Sequence, residues 1–106
     1  KETSLWKRAR ESEQVLVEVP FATLIQERDL EIVQRGVADM VFREKDSWII
    51  VDYKSDSTID RLDQLVESYR SQIEAYARVW HKQTGEATRG YLLFLDGSHE
   101  VEVARF

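Results

Sequence analysis

The sequence predicts an α/β domain: a central mixed β-sheet of about five strands flanked by helices. Two observations predict it. Apolar residues alternate with period two, or run together in short apolar blocks, before residue 55 and after residue 89, whereas between residues 60 and 83 they recur at steps of three and four. Strand-period and helix-period segments each have an apolar face that another element must cover, so a sheet with helices laid on it accounts for both. At 106 residues the chain holds one core, and residues 1–106 are expected to form one domain.

The elements follow in order. Residues 1–12, "KETSLWKRARES", are polar with Leu5, Trp6 and Ala9 at helix-like spacing, which predicts a short helix or the tail of a longer one. In "EQVLVEVPFATLI", Val15, Val17, Val19 and Phe21 alternate with Gln14, Leu16, Glu18 and Pro20. That predicts a strand with the valines and Phe21 turned to the core. Pro20 cannot donate to a ladder, so this strand is expected at an edge or bent there. "QERDLEI" is a polar turn, and "EIVQRGVADMVFRE" returns as a second strand in which Gly36 permits a bulge or a close approach. "EKDS" turns into a third, strongly apolar strand, "SWIIVDYK".

"SDSTID" offers cap residues for the helix of residues 60–83, whose stripe runs from Leu62 through Leu65, Tyr69, Ile73 and Tyr76 to Trp80. Thr84 and Gly85 end it, glycine being the common residue past a helix C-terminus. "RGYLLFLDG" is a fourth strand, and Asp96-Gly97 turns into the last, "EVEVARF". The chain has no repeat, low-complexity segment or internal linker.

Composition narrows the function classes. No apolar run is long enough to span a bilayer, so no membrane partner is expected. The absence of cysteine excludes disulfides, iron–sulfur clusters and cysteine-ligated zinc within the chain, and fits a cytoplasmic location. A net charge of −5 opposes tight nonspecific nucleic-acid binding by the domain itself and suits a site that gathers cations. The first residue is lysine, so a fragment of a longer polypeptide is expected.

The residues that invite chemistry lie in "VADMVFREKDSWIIVDYKSD". Alternation puts Asp52 and Lys54 on one face of their strand, and Val51 and Tyr53 on the other. The same rule groups Asp39 with Val37 and Val41, opposite Ala38, Met40 and Phe42. Taken singly, each aspartate reads as a turn cap or a solvent-facing acid. A buried, unpartnered carboxylate costs roughly several kcal/mol or takes up a proton, and two facing each other cost more. A hard divalent cation reverses that cost, since magnesium and manganese favour carboxylate oxygens. Spacing alone leaves both readings open. On the helix, Gln72 and Tyr76 share a face. Read alone they are a core tyrosine and its solvent edge; if the helix crosses the sheet near Lys54, Gln72 reaches the same pocket.

Together, "GVADMVF", "IIVDYKSD" and "YRSQIEAYA" resemble the nuclease domain of the RecB/AddA family, within the PD-(D/E)XK phosphodiesterase superfamily. In that family a G-x-x-D strand, a D-Y-K strand end and a Q-x-x-x-Y helix recur in this order. They fall here at Gly36 to Asp39, at Asp52-Tyr53-Lys54, and at Gln72 with Tyr76. "VEVPF" resembles the family's glutamate-x-proline-phenylalanine strand and adds Glu18 and Phe21. The likeness runs from about Leu5 to Phe94. It points in particular to the C-terminal nuclease domain attached to a UvrD-like superfamily 1 helicase.

The resemblance implies a restriction-endonuclease-like core and a magnesium- or manganese-dependent deoxyribonuclease, expected to be an exonuclease, acting in double-strand break repair and recombination. By the same likeness, Asp39 and Asp52 bind the metal, with the Tyr53 backbone carbonyl completing the site. Lys54 orients or helps deprotonate the attacking water and stabilises charge on the scissile phosphate. Gln72 and Tyr76 shape the site and contact DNA. Glu18 is an accessory polar group or a solvent-facing residue. Implied partners are single-stranded DNA or a duplex end, helicase domains of the same polypeptide, and a second helicase–nuclease subunit.

Many family members also carry a histidine metal ligand on a helix well before the first strand. Here the only histidines are His81 and His99, which read as surface residues. That ligand is therefore expected upstream of Lys1 or lacking in this member, and the fragment alone is expected to have an incomplete site. Arg35, Lys54, Arg61 and Arg70 are the basic residues available to help hold DNA. Two alternatives remain from the sequence: a non-catalytic DNA-binding or subunit-docking module of the same fold, and a stand-alone exonuclease of phage or CRISPR-associated type.

Overall fold

The computed structural model describes residues 4–106. Helix α1 covers Ser4–Arg10, and strands β1, β2 and β3 cover Gln14–Glu27, Leu30–Glu44 and Ser47–Lys54. The long helix α2 spans Leu62–Thr84, and β4 (Ala87–Phe94) and β5 (His99–Arg105) follow, joined by a single 3-10 turn at Asp96–Ser98. This is the expected order. The sheet runs β1-β2-β3-β4-β5, antiparallel except between β3 and β4, which are parallel. The parallel pair is what a helical crossover produces, because α2 carries the chain back before β4 begins.

The helices cover opposite faces. Leu65, Ile73, Tyr76 and Ala77 of α2 pack on Val41, Ile50, Leu92 and Phe94. Leu5 and Ala9 of α1 pack on Met40, Phe42, Ile49, Val51 and Leu93. With both faces covered, Ile49, Ile50 and Val51 of β3 are wholly buried, as the unbroken apolar run of that strand requires. No helix among the described residues is long and apolar enough to cross a membrane.

β1 is an edge strand, as Pro20 predicts, and its expected inward face holds for Val19 and Phe21 but not for the half before Glu18. Val15 and Val17 are 43% and 68% exposed, while Leu16, Val19 and Phe21 pack under α2. The phase reverses at Glu18, whose φ of 51° is left-handed. β2 reverses at the facing position. Ala38 and Val41 join the cluster under α2 while Met40 and Phe42 join the one under α1, so the expected Ala38–Met40–Phe42 face does not exist. Glu18 and Asp39 lie between the paired positions Val17–Met40 and Val19–Ala38. One left-handed residue is enough to turn a strand over, and a period-two reading cannot see it.

Gly36 permits a close approach: a Cβ there would stand 1.6 Å from the Tyr76 hydroxyl oxygen. The turn at Lys45-Asp46 is the two-residue hairpin that right-handed strand twist favours, both residues having positive φ. At the end of α2, Gly85 is left-handed (φ 72°) and donates its N–H to the His81 carbonyl, as expected. The start of α2 differs from expectation. Arg61 holds the N-cap position without a side-chain cap, because Thr58 turns its N–H (2.9 Å) and hydroxyl (3.2 Å) to Asp96.

Candidate active site

β2 and β3 stay paired only from Glu44–Ser47 to Met40–Val51. Beyond that point β2 follows β1, and β3 continues alongside β4 as far as Lys54–Phe94. The strands therefore fork, and the two aspartates stand at the fork, Asp39 one residue past the last pair on β2 and Asp52 one residue past it on β3. The backbone N–H of Tyr53 is taken by Asp39 Oδ2 at 2.6 Å. The Tyr53 ring turns to the opposite face, where it meets Trp6 with ring centroids 5.6 Å apart. Only the backbone of Tyr53 is thus available to the site.

Asp52 is 6% exposed, and its carboxylate lies 2.8 Å from Lys54 Nζ. Burial pushes the Asp52 carboxyl up to about 6; the Lys54 ammonium opposes that shift and the neighbouring Asp39 adds to it. The sheet thus holds an acidic pair at a cost, partly offset by a single cation.

Lys54 has a second neighbour. Its Nζ sits 4.0 Å from the centroid of the Tyr69 ring, and the Tyr69 hydroxyl lies 3.1 Å from each carboxylate oxygen of Asp56. Two turns along α2, Tyr76 is buried with its ring stacked on Phe21 at 4.5 Å. Its hydroxyl fits over Gly36 and accepts a hydrogen bond from Gln72 Nε2 at 3.1 Å. The Tyr76 phenol is raised by burial, an effect that Gln72 and Lys54 oppose and that Asp52 and Asp39 reinforce. Tyr76 therefore lies within electrostatic reach of all three charged residues, and Gln72 connects to them through Tyr76.

Five of the predicted residues, Asp39, Asp52, Lys54, Gln72 and Tyr76, come together here, with the Tyr53 backbone between the carboxylates. Glu18 is exposed at the strand reversal facing Asp39. His81 lies at the far end of α2 with Nδ1 2.8 Å from the Glu86 carbonyl oxygen, and His99 is exposed. Of the basic residues, Arg70 turns to Glu67 (2.9 Å) and the Val103 carbonyl (3.3 Å), while Arg35 and Arg61 are exposed. Among the described residues, no three His, Cys, Asp or Glu side chains group closely enough to hold a metal by themselves.

Sequence reasoning missed Tyr69 and Asp56. Tyr69 falls on the apolar stripe three residues before Gln72 and reads as core, while Asp56 reads as a capping residue. The one available signal is that Tyr69, Gln72 and Tyr76 share a helix face.

A family model described as the PD-(D/E)XK nuclease superfamily matches residues 2–105. An ATP-dependent helicase/nuclease subunit from Heliobacterium modesticaldum is 35% identical over 109 residues, covering 89% of this chain and 8% of that protein. Its namesakes from Listeria welshimeri and Carboxydothermus hydrogenoformans are 33% and 30% identical, covering 89% and 95% of this chain and 9% and 10% of those proteins. The chain thus spans about a tenth or less of the length of these curated relatives. The crystal structure of the protein SSO0001 superimposes with a TM-score of 0.53 at 19% identity, covering 84% of this chain and 41% of that one, and shares the fold.

Proposed function

The chain belongs to the PD-(D/E)XK nuclease superfamily, and from that premise we propose that it is the metal-dependent nuclease module of a helicase–nuclease, hydrolysing DNA in double-strand break repair and recombination. The observation that carries this reading is the convergence of Asp39, Asp52 and Lys54 at the fork of β2 and β3. The fusion to helicase domains, and pairing with a second subunit, draw support from the relatives named as helicase/nuclease subunits. A cytoplasmic location and a single-stranded or duplex-end substrate go with that reading.

The donor set suits a hard divalent cation. Asp39 and Asp52 offer carboxylate oxygens from two strands, the Tyr53 carbonyl adjoins them, and magnesium or manganese commonly completes such a set with water. Bound there, the cation would lower the pKa of a coordinated water and withdraw charge from phosphate oxygens.

The chain's own groups divide the remaining tasks. Hydrolysis joins a water oxygen to phosphorus and breaks a phosphorus–oxygen ester bond; the water gives up one proton and the departing sugar oxygen takes one. Lys54 presents ammonium donors to the charge that gathers on the phosphate and orients the attacking water. Its ion pair with Asp52 fixes the ammonium beside the carboxylates. Tyr76, locked between Phe21 and Gly36, forms a rigid wall, and Gln72 extends that wall toward the DNA strand. Glu18 faces solvent and stands outside the chemistry.

The test is cleavage of end-labelled single-stranded DNA by the full-length protein in magnesium, in manganese, and in excess chelator. Degradation that requires a divalent cation is the expected result. Degradation that persists in chelator, or no degradation in either metal, contradicts the reading.

A further inference from the structure

Lys54 ends β3 on a flexible stem of four carbons, and a strongly hydrated ammonium on such a stem has no fixed place of its own. Asp52 holds it from one side at 2.8 Å. The other side is closed by the Tyr69 ring, with Nζ 4.0 Å from its centroid. Tyr69 is fixed in turn, because its hydroxyl bridges both oxygens of Asp56 at 3.1 Å each. Asp56 lies two residues beyond Lys54, so the chain that leaves the active strand bends back and clasps the helix that faces it. The arrangement closes a ring from Lys54 through Tyr69 and Asp56 back along the backbone to Lys54.

We infer that Tyr69 is a positioning residue for Lys54, and that Asp56 sets the position of Tyr69; this role rests on the nuclease reading of the site. The choice of an aromatic ring has a chemical reason. A second carboxylate at that place would hold the ammonium more strongly but would accept its N–H bonds. A ring face attracts the charge through its quadrupole and competes only weakly for those N–H donors. Lys54 is therefore anchored on two sides while keeping donors free for phosphate and water oxygens. The phenol is suited to the task because its O–H reaches the Asp56 carboxylate while its face meets Lys54. A core leucine at position 69 would fill the stripe equally well and do neither.

The experiment measures kcat and KM for single-stranded DNA cleavage by the full-length protein, with unfolding midpoints alongside. Tyr69→Leu is expected to lower kcat about tenfold or more with KM within about twofold, as loss of a contact to a transition-state group requires. Tyr69→Phe keeps the ring and is expected to restore most of that loss, and Asp56→Ala, which removes the acceptor of the Tyr69 hydroxyl, to match Tyr69→Phe. A crystal structure of metal-free Tyr69→Leu is expected to show Nζ moved from its place beside Asp52. Wild-type kcat in Tyr69→Leu, or Tyr69→Phe as impaired as Tyr69→Leu, overturns the inference. Should Tyr69→Leu lose its fold, Asp56→Ala decides: a drop in kcat of a few-fold supports the clasp, and wild-type kcat overturns it. Lys54→Ala separates the two levels. If it cleaves normally, the nuclease reading of Lys54 falls and takes the clasp with it. If it is inactive while Tyr69→Leu is normal, only the clasp falls.

Discussion

Asp39 Oδ2 accepts the backbone N–H of Tyr53 at 2.6 Å, so the carboxylate that would bind a cation also pins the two strands where they part. A structural and a chemical task share one side chain, and substitution separates them. Asp39→Asn keeps an acceptor for the Tyr53 N–H and removes the charge, whereas Asp39→Ala leaves a part-buried N–H unmet. Urea unfolding is expected to show Asp39→Ala less stable by about 1–3 kcal/mol and Asp39→Asn by clearly less. Both are expected to lose cleavage. Equal stability of the two variants would contradict this division.

Gly36 and Tyr76 make a second testable fit. An added methyl would stand 1.6 Å from the Tyr76 hydroxyl and 2.8 Å from the ring carbon that bears it. Gly36→Ala is expected to displace Tyr76 and cost about 1–3 kcal/mol, the range for overpacking. Adding Tyr76→Phe removes the worst overlap and recovers part of the loss. A double variant no more stable than Gly36→Ala would show that the strain lies elsewhere.

The reversal at Glu18 yields a prediction about backbone alone. A non-glycine residue at φ 51° carries a steric penalty of about 1 kcal/mol. Glu18→Gly is therefore expected to raise the unfolding free energy slightly relative to Glu18→Ala, in the opposite sense to an ordinary strand position, where glycine is the weaker residue. Glycine less stable than alanine here would contradict the left-handed assignment.

These positions also show what was legible in the sequence. The order of elements, the edge position of β1, the Lys45-Asp46 turn and the Gly85 stop all follow from local rules, because each is decided by residues adjacent in the chain. The grouping of Asp39, Asp52, Lys54, Gln72 and Tyr76 could be anticipated because its spacing matched a family pattern. The reversal at Glu18 and Asp39 could not, since nothing in a glutamate announces a left-handed backbone. Tyr69 was hidden for another reason: an aromatic residue on a buried stripe looks the same whether its ring fills the core or carries a lysine.

Away from the site, Glu86 gathers Arg43 (2.5 Å) and the Trp48 indole N–H (2.8 Å), and these hydrogen bonds hold its carboxyl below the usual value. A depressed carboxylate contributes stability at pH above its unfolded pKa and loses it as pH falls through the folded one. The unfolding midpoint of the wild type is therefore expected to fall more steeply than that of Glu86→Gln between neutral pH and about pH 3. Parallel curves for the two proteins would show that Glu86 contributes nothing to acid stability.

On the proposed reading, the fork of β2 and β3 cuts phosphodiesters with Asp52 and Lys54. Single-turnover cleavage of single-stranded DNA by full-length wild type, Asp52→Ala and Lys54→Ala, at saturating enzyme and in manganese, tests it most directly. The expected result is a rate reduced at least about a hundredfold in each variant, as for loss of a principal charge-stabilising group, with DNA binding retained. Variants that cleave at the wild-type rate would contradict the claim.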